Sequence, residues 1–499
     1  VVDFFRPEDR RRRFRRSNES DDAYPVPTRS ISNGEYDPLP QTAAQREVEA
    51  RLLSSADEHA RSLGLSRRQF LKSGSGMAAA FLAMNSVFGQ LFAVDPAEAS
   101  EPERAAERSR SLASQFVFDD QVHFVHEDFD SDWMLDYGRY ASKHWNPGML
   151  DEVGLDLDRY RFDNFIKEVY LDSDTKVCLV SSAPTTGDVR GLLISNDQMA
   201  ATRDIVNRLA GSRRMLSHAV FTPGQDGWLD EIDRAIETLR PDAWKGYTVG
   251  NPFHPQNLPY RLDDEKLMYP FYEKVMASGI NRICIHKGLL PRDYLTSLSG
   301  IWKHAMVDDV GRAAKDWPGI EFVIYHAGLR PYLAEPDIEM AEFEKTGEIA
   351  WVSDLARIPE IFGVDNVYGE IGSAFANSCV TNPRFCAAML GTLVKGMGVD
   401  HVVWGTDSVW YGSPQWQIEA LRRLEMPEDL QQRFGFAPLG KADGEVKNAI
   451  FGGNGARLYG LDIESARSKV AADQIAAMKA EYHARGVGRS NLTYGYVVD

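Results

Sequence analysis

The sequence predicts an α/β fold, a (β/α)8 barrel of the TIM type, preceded by a signal-like and disordered segment and followed by a helical extension. Three observations lead there. From residue 116 onward, eight apolar, strand-like runs alternate with stretches of helical periodicity. Four of those runs stop at a His or an Asp, at the strand end where barrels of this kind carry their chemistry. No Gly-rich phosphate loop follows the first run, which disfavours an open dinucleotide-binding sheet.

The elements fall in order along the chain. Residues 1–65 begin with an Arg-rich run and continue with Ser, Pro, Asn and Asp, a composition that reads as disordered, with a short exposed helix over 47–61. Residues 66–99 join S-R-R-Q-F-L-K to a moderately apolar run (74–93) and an Ala97-Glu98-Ala99 triplet. Residues 100–115 are a charged linker, and 116–460 form the barrel. Its strands are expected at 116–126, 176–181, 215–222, 243–248, 282–286, 321–326, 366–370 and 401–407. Helical spacing marks 196–209, 228–239, 264–277, 301–315, 351–362, 384–394 and 414–424. After the eighth unit, 446–458 reads as a helix stopped at Gly452-Gly453 and a second one capped by Asn454. Residues 461–499 hold one Ala-rich helix over 463–485 and a tail.

Composition limits the partners. A formal charge of −17 on 499 residues excludes a nucleic-acid surface, which needs basic groups to neutralise phosphate. The four cysteines have no C-x-x-C spacing; a Cys379–Cys386 disulfide is conceivable only in an oxidising compartment. A small-molecule substrate and a homo-oligomeric state are the expected partnerships. A long segment over 131–163, rich in Asp and aromatics, is expected as a lid or subunit contact.

Chemistry concentrates at four strand ends. The first run reads F-V-F-D-D-Q-V-H, with Asp119, Gln121 and His123 on one face if the alternation is regular. His286, His326 and Asp407 terminate the fifth, sixth and eighth runs. Imidazole and carboxylate at neighbouring strand ends suit a divalent ion, Zn or Mn, with an open position for water. Lys245 on the fourth run and Glu370 on the seventh reach the same level; they are expected to pair, or to act as substrate ligand and acid. Trp404 and Trp410 flank the eighth run and are candidates for the wall of a planar pocket.

These motifs resemble the amidohydrolase superfamily, in the amidohydrolase-related branch that includes aminocarboxymuconate-semialdehyde-type decarboxylases. The resemblance rests on His286, His326-Ala327-Gly328, Gly405-Thr406-Asp407 and the closing G-G-N-G-A-R-L of Gly452–Leu458, and spans about residues 116–460. It implies that His123, His286 and Asp407 ligate one metal, with His326 orienting substrate or water and Asp407 moving a proton. It departs at Gln121, where the branch has His or Glu; an amide oxygen is the weaker ligand. The implied activity is metal-dependent hydrolysis through an activated water. Non-oxidative decarboxylation of an aromatic or unsaturated acid is the alternative, and a metal-free ligand-binding barrel is the reading from another class. Residues 66–99 resemble a twin-arginine signal. That resemblance implies the twin-arginine machinery as a partner and an extracytoplasmic location, membrane-anchored if the segment is not cleaved.

Overall fold

The computed structural model describes residues 24–126, 160–184, 193–250, 258–330, 336–495 and 497–498. The segment expected as a lid lies almost wholly outside these residues. Eight strands run parallel in chain order: β1 (Phe118–Val122), β2 (Val177–Val180), β3 (Met215–Val220), β4 (Ala243–Tyr247), β5 (Arg282–His286), β6 (Glu321–Tyr325), β7 (Val367–Glu370) and β8 (Val402–Val403). The last strand returns to the first. Asp120 N–H donates to the Trp404 carbonyl at 2.9 Å, Asp407 N–H to that of Gln121 at 2.9 Å, and Val122 pairs with Ser408. The (β/α)8 barrel expected from the alternating periods is the fold observed.

Strand alternation decides what fills the barrel. Phe118, Val177, Leu179, Leu216, Ala243, Cys284, Val323, Tyr325 and Val403 point inward and pack as one apolar cluster. Ala456, Leu458 and Tyr459 close its lower end. The Gly452-Gly453 stop expected between two helices is absent. The chain stays helical from Glu445 to Leu458, widening to π geometry over Ala449–Gly453. A Cβ on Gly452 would overlap the Phe116 carbonyl, so glycine is needed there for close helix–strand approach rather than for termination. Asn454 is no cap; its amide donates to the carbonyls of Val399 and Val402.

Two other expectations are corrected, the single C-terminal helix and the disordered N-terminal segment, and the tail and the cysteines are placed. The long C-terminal helix divides into Ile463–Ala471 and Gln474–Ala484, because Asp473 caps the second piece and accepts a buried two-pronged contact from Arg214 at 2.6 and 2.8 Å. The tail beyond it packs back on the barrel mouth, with Tyr494 N–H donating to the Trp410 carbonyl at 2.9 Å. All four cysteines are free and buried. Finally, residues 24–65 are built into the domain rather than disordered. α1 (Ala43–Leu63) starts on a Thr42–Gln45 capping box and buries Val48, Leu52, Ala56 and Ala60 along one stripe.

That stripe packs on α2 (Gly74–Phe88), which is the apolar run of the signal-like segment. Met77–Phe81 of α2 are almost wholly buried against the rest of the chain. At 15 residues α2 is shorter than the ~20 needed to span a bilayer. Among the described residues no helix is long and apolar enough to cross a membrane. In the Ala97-Glu98-Ala99 triplet, Glu98 is buried and ion-paired with Arg423 at 2.5 Å.

Candidate active site at the barrel mouth

β1 departs from regular alternation. Asp119 pairs with Cys178 and Val122 with Val180, so β1 carries one extra residue over that interval. The bulge separates Asp119 from the two side chains expected beside it. Asp119 turns to β8, accepting from the Thr406 N–H and hydroxyl at 2.9 and 2.5 Å, while burial pushes its carboxyl up to about 7. Gln121 and His123 stay together, their Nε2 atoms 3.1 Å apart.

His123 and Asp407 form the first half of the site. Nδ1 of His123 lies 3.0 Å from the Ser181 carbonyl, which can only accept, so Nδ1 carries a proton. Its Nε2 faces Asp407 Oδ1 at 3.1 Å. A ring nitrogen and a carboxylate oxygen held this close, both buried, make a place for a cation. Asp407 Oδ2 accepts from Ser373 Oγ at 2.6 Å and from Asn33 Nδ2 at 2.7 Å. Both Asp407 (φ 55°) and His326 (φ 59°) hold the left-handed backbone region, a strained conformation that recurs at functional sites.

The second half joins His286 and His326 to a residue from outside the barrel. The two rings meet edge to face at 4.9 Å, and Tyr247 stacks on His286 at 4.8 Å. Burial, and then Lys245 for His286 and His286 itself for His326, hold both imidazoles well below their ordinary value and therefore neutral. Ser373 N–H points at Nδ1 of His326 at 3.3 Å, which leaves Nε2 as the donor facing the mouth. Glu35 fills the space between the rings, with Oε1 3.5 Å from His286 Nδ1 and Oε2 4.0 Å from His326 Nε2. Asn33 Nδ2 also donates to Glu35 Oε2 at 2.5 Å, so one amide bridges the carboxylates of Glu35 and Asp407. Burial, with Asp407 close by, pushes the Glu35 carboxyl up to about 8.

The other expected site residues divide. Lys245 is fully buried on the barrel side of β4, its Nζ 3.6 Å above the Tyr325 ring and 4.8 Å from that of Tyr247. Among the described residues its ammonium has no hydrogen-bond partner. Burial lowers it to about 8, although Glu35, Asp407 and Glu370 act in the opposite sense. The expected Lys245–Glu370 pair is not formed. Glu370 accepts instead from the backbone N–H of His326 at 2.9 Å and of Gly372 at 2.6 Å. It thereby fixes the strand end that carries His326, and burial raises its carboxyl well above the usual range.

Trp404 does not line the mouth. Val403 points inward, so Trp404 points outward and packs between Phe375 and Phe451. Trp410 does reach the site, its ring 6.3 Å from His123 and 5.1 Å from Tyr160. Sequence reasoning missed Asn33, Glu35, Tyr36, His218 and Ser373. His218 could have been read from the alternation of M-L-S-H-A-V on β3; it lies buried, 3.3 Å from the Tyr325 hydroxyl. Tyr36, Tyr411 and Ser373 form a hydroxyl chain of 3.0 and 2.7 Å leading to Asp407.

The residues fit a divalent cation. Among the described residues, Glu35, His286 and His326 form the one group of three whose ligand atoms lie within 4.8 Å of one another. His286 Nδ1 and Gln121 Oε1 are buried there without hydrogen-bond partners, and the His326 Nε2–H beside them is likewise unpartnered, placed to meet a bound molecule rather than the ion. Water-poor surroundings make such atoms costly unless something binds them. His123 donating its second nitrogen to a backbone carbonyl is the usual orientation of a metal-bound imidazole. Imidazole with carboxylate and no thiolate suits Zn or Mn.

The sequence profile of the amidohydrolase family matches residues 195–461, more than half of the chain. No curated protein matches. Among solved structures, the chain is similar to an uncharacterized TIM-barrel protein from Bordetella bronchiseptica at 12% identity, covering 70% of this chain and 99% of that one, with a TM-score of 0.41. It is similar to 5-carboxyvanillate decarboxylase from Novosphingobium aromaticivorans, with bound manganese and 3-methoxy-4-hydroxy-5-nitrobenzoic acid, at 12% identity, 70% and 98% coverage and a TM-score of 0.39. A dihydroxybenzoic acid decarboxylase from Polaromonas, with manganese and 2-nitroresorcinol, gives 14% identity, 69% and 97% coverage and a TM-score of 0.39.

Proposed function

This chain belongs to the amidohydrolase family, and from that premise we propose that it is a metal-dependent carboxy-lyase acting on a small aromatic or unsaturated carboxylic acid. The observation that carries the reading is Lys245, a buried ammonium with no hydrogen-bond partner among the described residues, near two neutral imidazoles. A buried cation is costly to keep without an anion. A substrate carboxylate supplies that anion, and the His326 Nε2–H gives it a second, directional contact.

His123, His286 and Asp407 would hold the ion, either Zn or Mn. When bound, it would chelate the acid and stabilise the charge that develops as the carbon–carbon bond breaks. The chain's own work is positioning and proton transfer. Lys245 anchors the carboxylate, Trp410 bounds the space beside His123, and Asp407 stands where it can return a proton to the carbon that loses CO2. Hydrolysis is the second reading, favoured by Asp407, whose carboxylate, 3.1 Å from His123 Nε2, would accept a proton from an attacking water.

The test is CO2 release by the full-length protein loaded with Mn2+ or Zn2+, on substituted benzoic and dienoic acids, beside aryl esters and anilides. Turnover of acids with loss of one carbon supports the carboxy-lyase; turnover of esters or anilides alone moves hydrolysis to first place. Twin-arginine export belongs to the same proposal and rests on Ser66–Lys72 alone. Fractionation of R67K/R68K against the native chain tests it, with retention of the variant inside the cell as the expected result.

A further inference from the structure

We propose that Glu35, carried in by the segment before α1, is a ligand of the mouth cation, pairs with His286, and takes the place that Gln121 leaves on β1. This inference rests on the metal-dependent reading above and adds a residue from outside the barrel.

The segment is fixed well enough to present a ligand. Ser30 Oγ donates to Asn377 Oδ1 at 2.9 Å, Tyr36 meets Tyr411 at 3.0 Å, and Ile31, Tyr36 and Leu39 are buried. Between those anchors Asn33 donates to Asp407 and to Glu35, which sets the carboxylate toward the two histidines.

The spacing is that of ligands rather than of hydrogen-bonded partners. Glu35 Oε1 and His286 Nδ1 stand 3.5 Å apart, and Nδ1 has no other partner among the described residues. Two donors bonded at ~2.1 Å to one tetrahedral ion lie roughly 3.4 Å apart. Charge points the same way. Glu35 and Asp407 stand on either side of one amide, and among the described residues no Arg or Lys is hydrogen-bonded to either carboxylate. Gln121 explains the need: with a neutral amide on β1, and with Asp119 and Glu370 committed to Thr406 and to backbone N–H groups, Asp407 is the barrel carboxylate left facing His123, where a second would raise affinity.

The experiment is Mn2+ binding to the full chain, followed by calorimetry and by the rise in Tm that the ion produces, for the native protein, Glu35→Gln, Glu35→Asp and His286→Ala. The native chain is expected to bind one ion. Glu35→Gln, nearly isosteric, should weaken binding at least about tenfold and lose most of the Tm rise, while Glu35→Asp keeps binding within a few-fold. Native affinity in Glu35→Gln with binding lost in His286→Ala overturns the assignment of Glu35 and leaves the metal-dependent reading standing. Absence of binding in the native chain overturns both. Should Glu35→Gln fail to fold, Glu35→Asp decides, since a retained carboxylate must retain the ion. A Glu35→Gln variant that binds Mn2+ as the native chain does and turns over faster would make Glu35 an obstruction instead, and would equally overturn the proposal.

Discussion

Nε2 of His123 stands 3.1 Å from Oδ1 of Asp407, while Nδ1 of the same ring is committed to the Ser181 carbonyl. The second ring nitrogen and a carboxylate are thus held face to face, in a geometry that a cation can join. Asp407→Asn removes the charge and keeps the shape. Metal affinity should fall on the order of a hundredfold or more, with the hydrogen bond from Ser373 retained. Titration with Mn2+ checks this; unchanged affinity would place the ion elsewhere.

Lys245 gives a separate handle on substrate. Lys245→Met keeps the length and the contact with Tyr325 but removes the ammonium. Loss of a charged hydrogen bond worth about 1.5–3 kcal/mol raises KM for the acid roughly tenfold to a hundredfold. The apo protein should melt at the same temperature or higher, because an unpartnered buried charge is gone. Steady-state kinetics and thermal melts read the two effects independently.

Arg423 ties the region before the barrel to the last barrel helix (Gln415–Arg423). Its guanidinium contacts Glu98 at 3.1 and 2.5 Å and Glu419 at 3.2 Å. Breaking a buried pair usually costs 3–5 kcal/mol, and Arg423 keeps Glu419, so Glu98→Gln should cost about 3 kcal/mol of stability. Urea unfolding measures it. A cost near zero would mean that the Glu98–Arg423 pair adds nothing to the association of residues 24–112 with the barrel.

The same network sets a pH dependence. Burial alone would raise the Glu419 carboxyl, but Arg422, Arg423 and Arg108 outweigh it and hold it down at about 2. A carboxyl depressed in the folded state stabilises above its unfolded value of about 4.5, and that stability is lost as pH falls toward about 2. Glu419→Gln should flatten the fall of Tm across this window while lowering Tm at neutral pH. Melting curves between pH 2 and 7 test it.

The barrel was legible because its strands are buried on both faces and read as apolar runs ended by polar groups, as at C-I-H of β5 and V-I-Y-H of β6. His123, His286, His326 and Asp407 were visible for that reason. Glu35 was not, because composition averages over a segment whose order comes from elsewhere. Ile31 and Leu39 are too few to collapse alone, and the segment is held by barrel residues such as Asn377 and Tyr411. Parity misled at Trp404, where aromatic clustering in sequence hid an outward-facing position beside the inward Val403. The β1 bulge hid the separation of Asp119 from Gln121, since a single extra residue leaves the sequence pattern looking regular.

Metal content of the purified full-length protein, beside His286→Ala, bears most directly on the central claim. Plasma mass spectrometry after dialysis should find about one Zn or Mn per native chain and none in the variant. A native chain that holds no ion, even after loading with either metal, would contradict a metal-dependent enzyme and favour a barrel that binds its ligand without turnover.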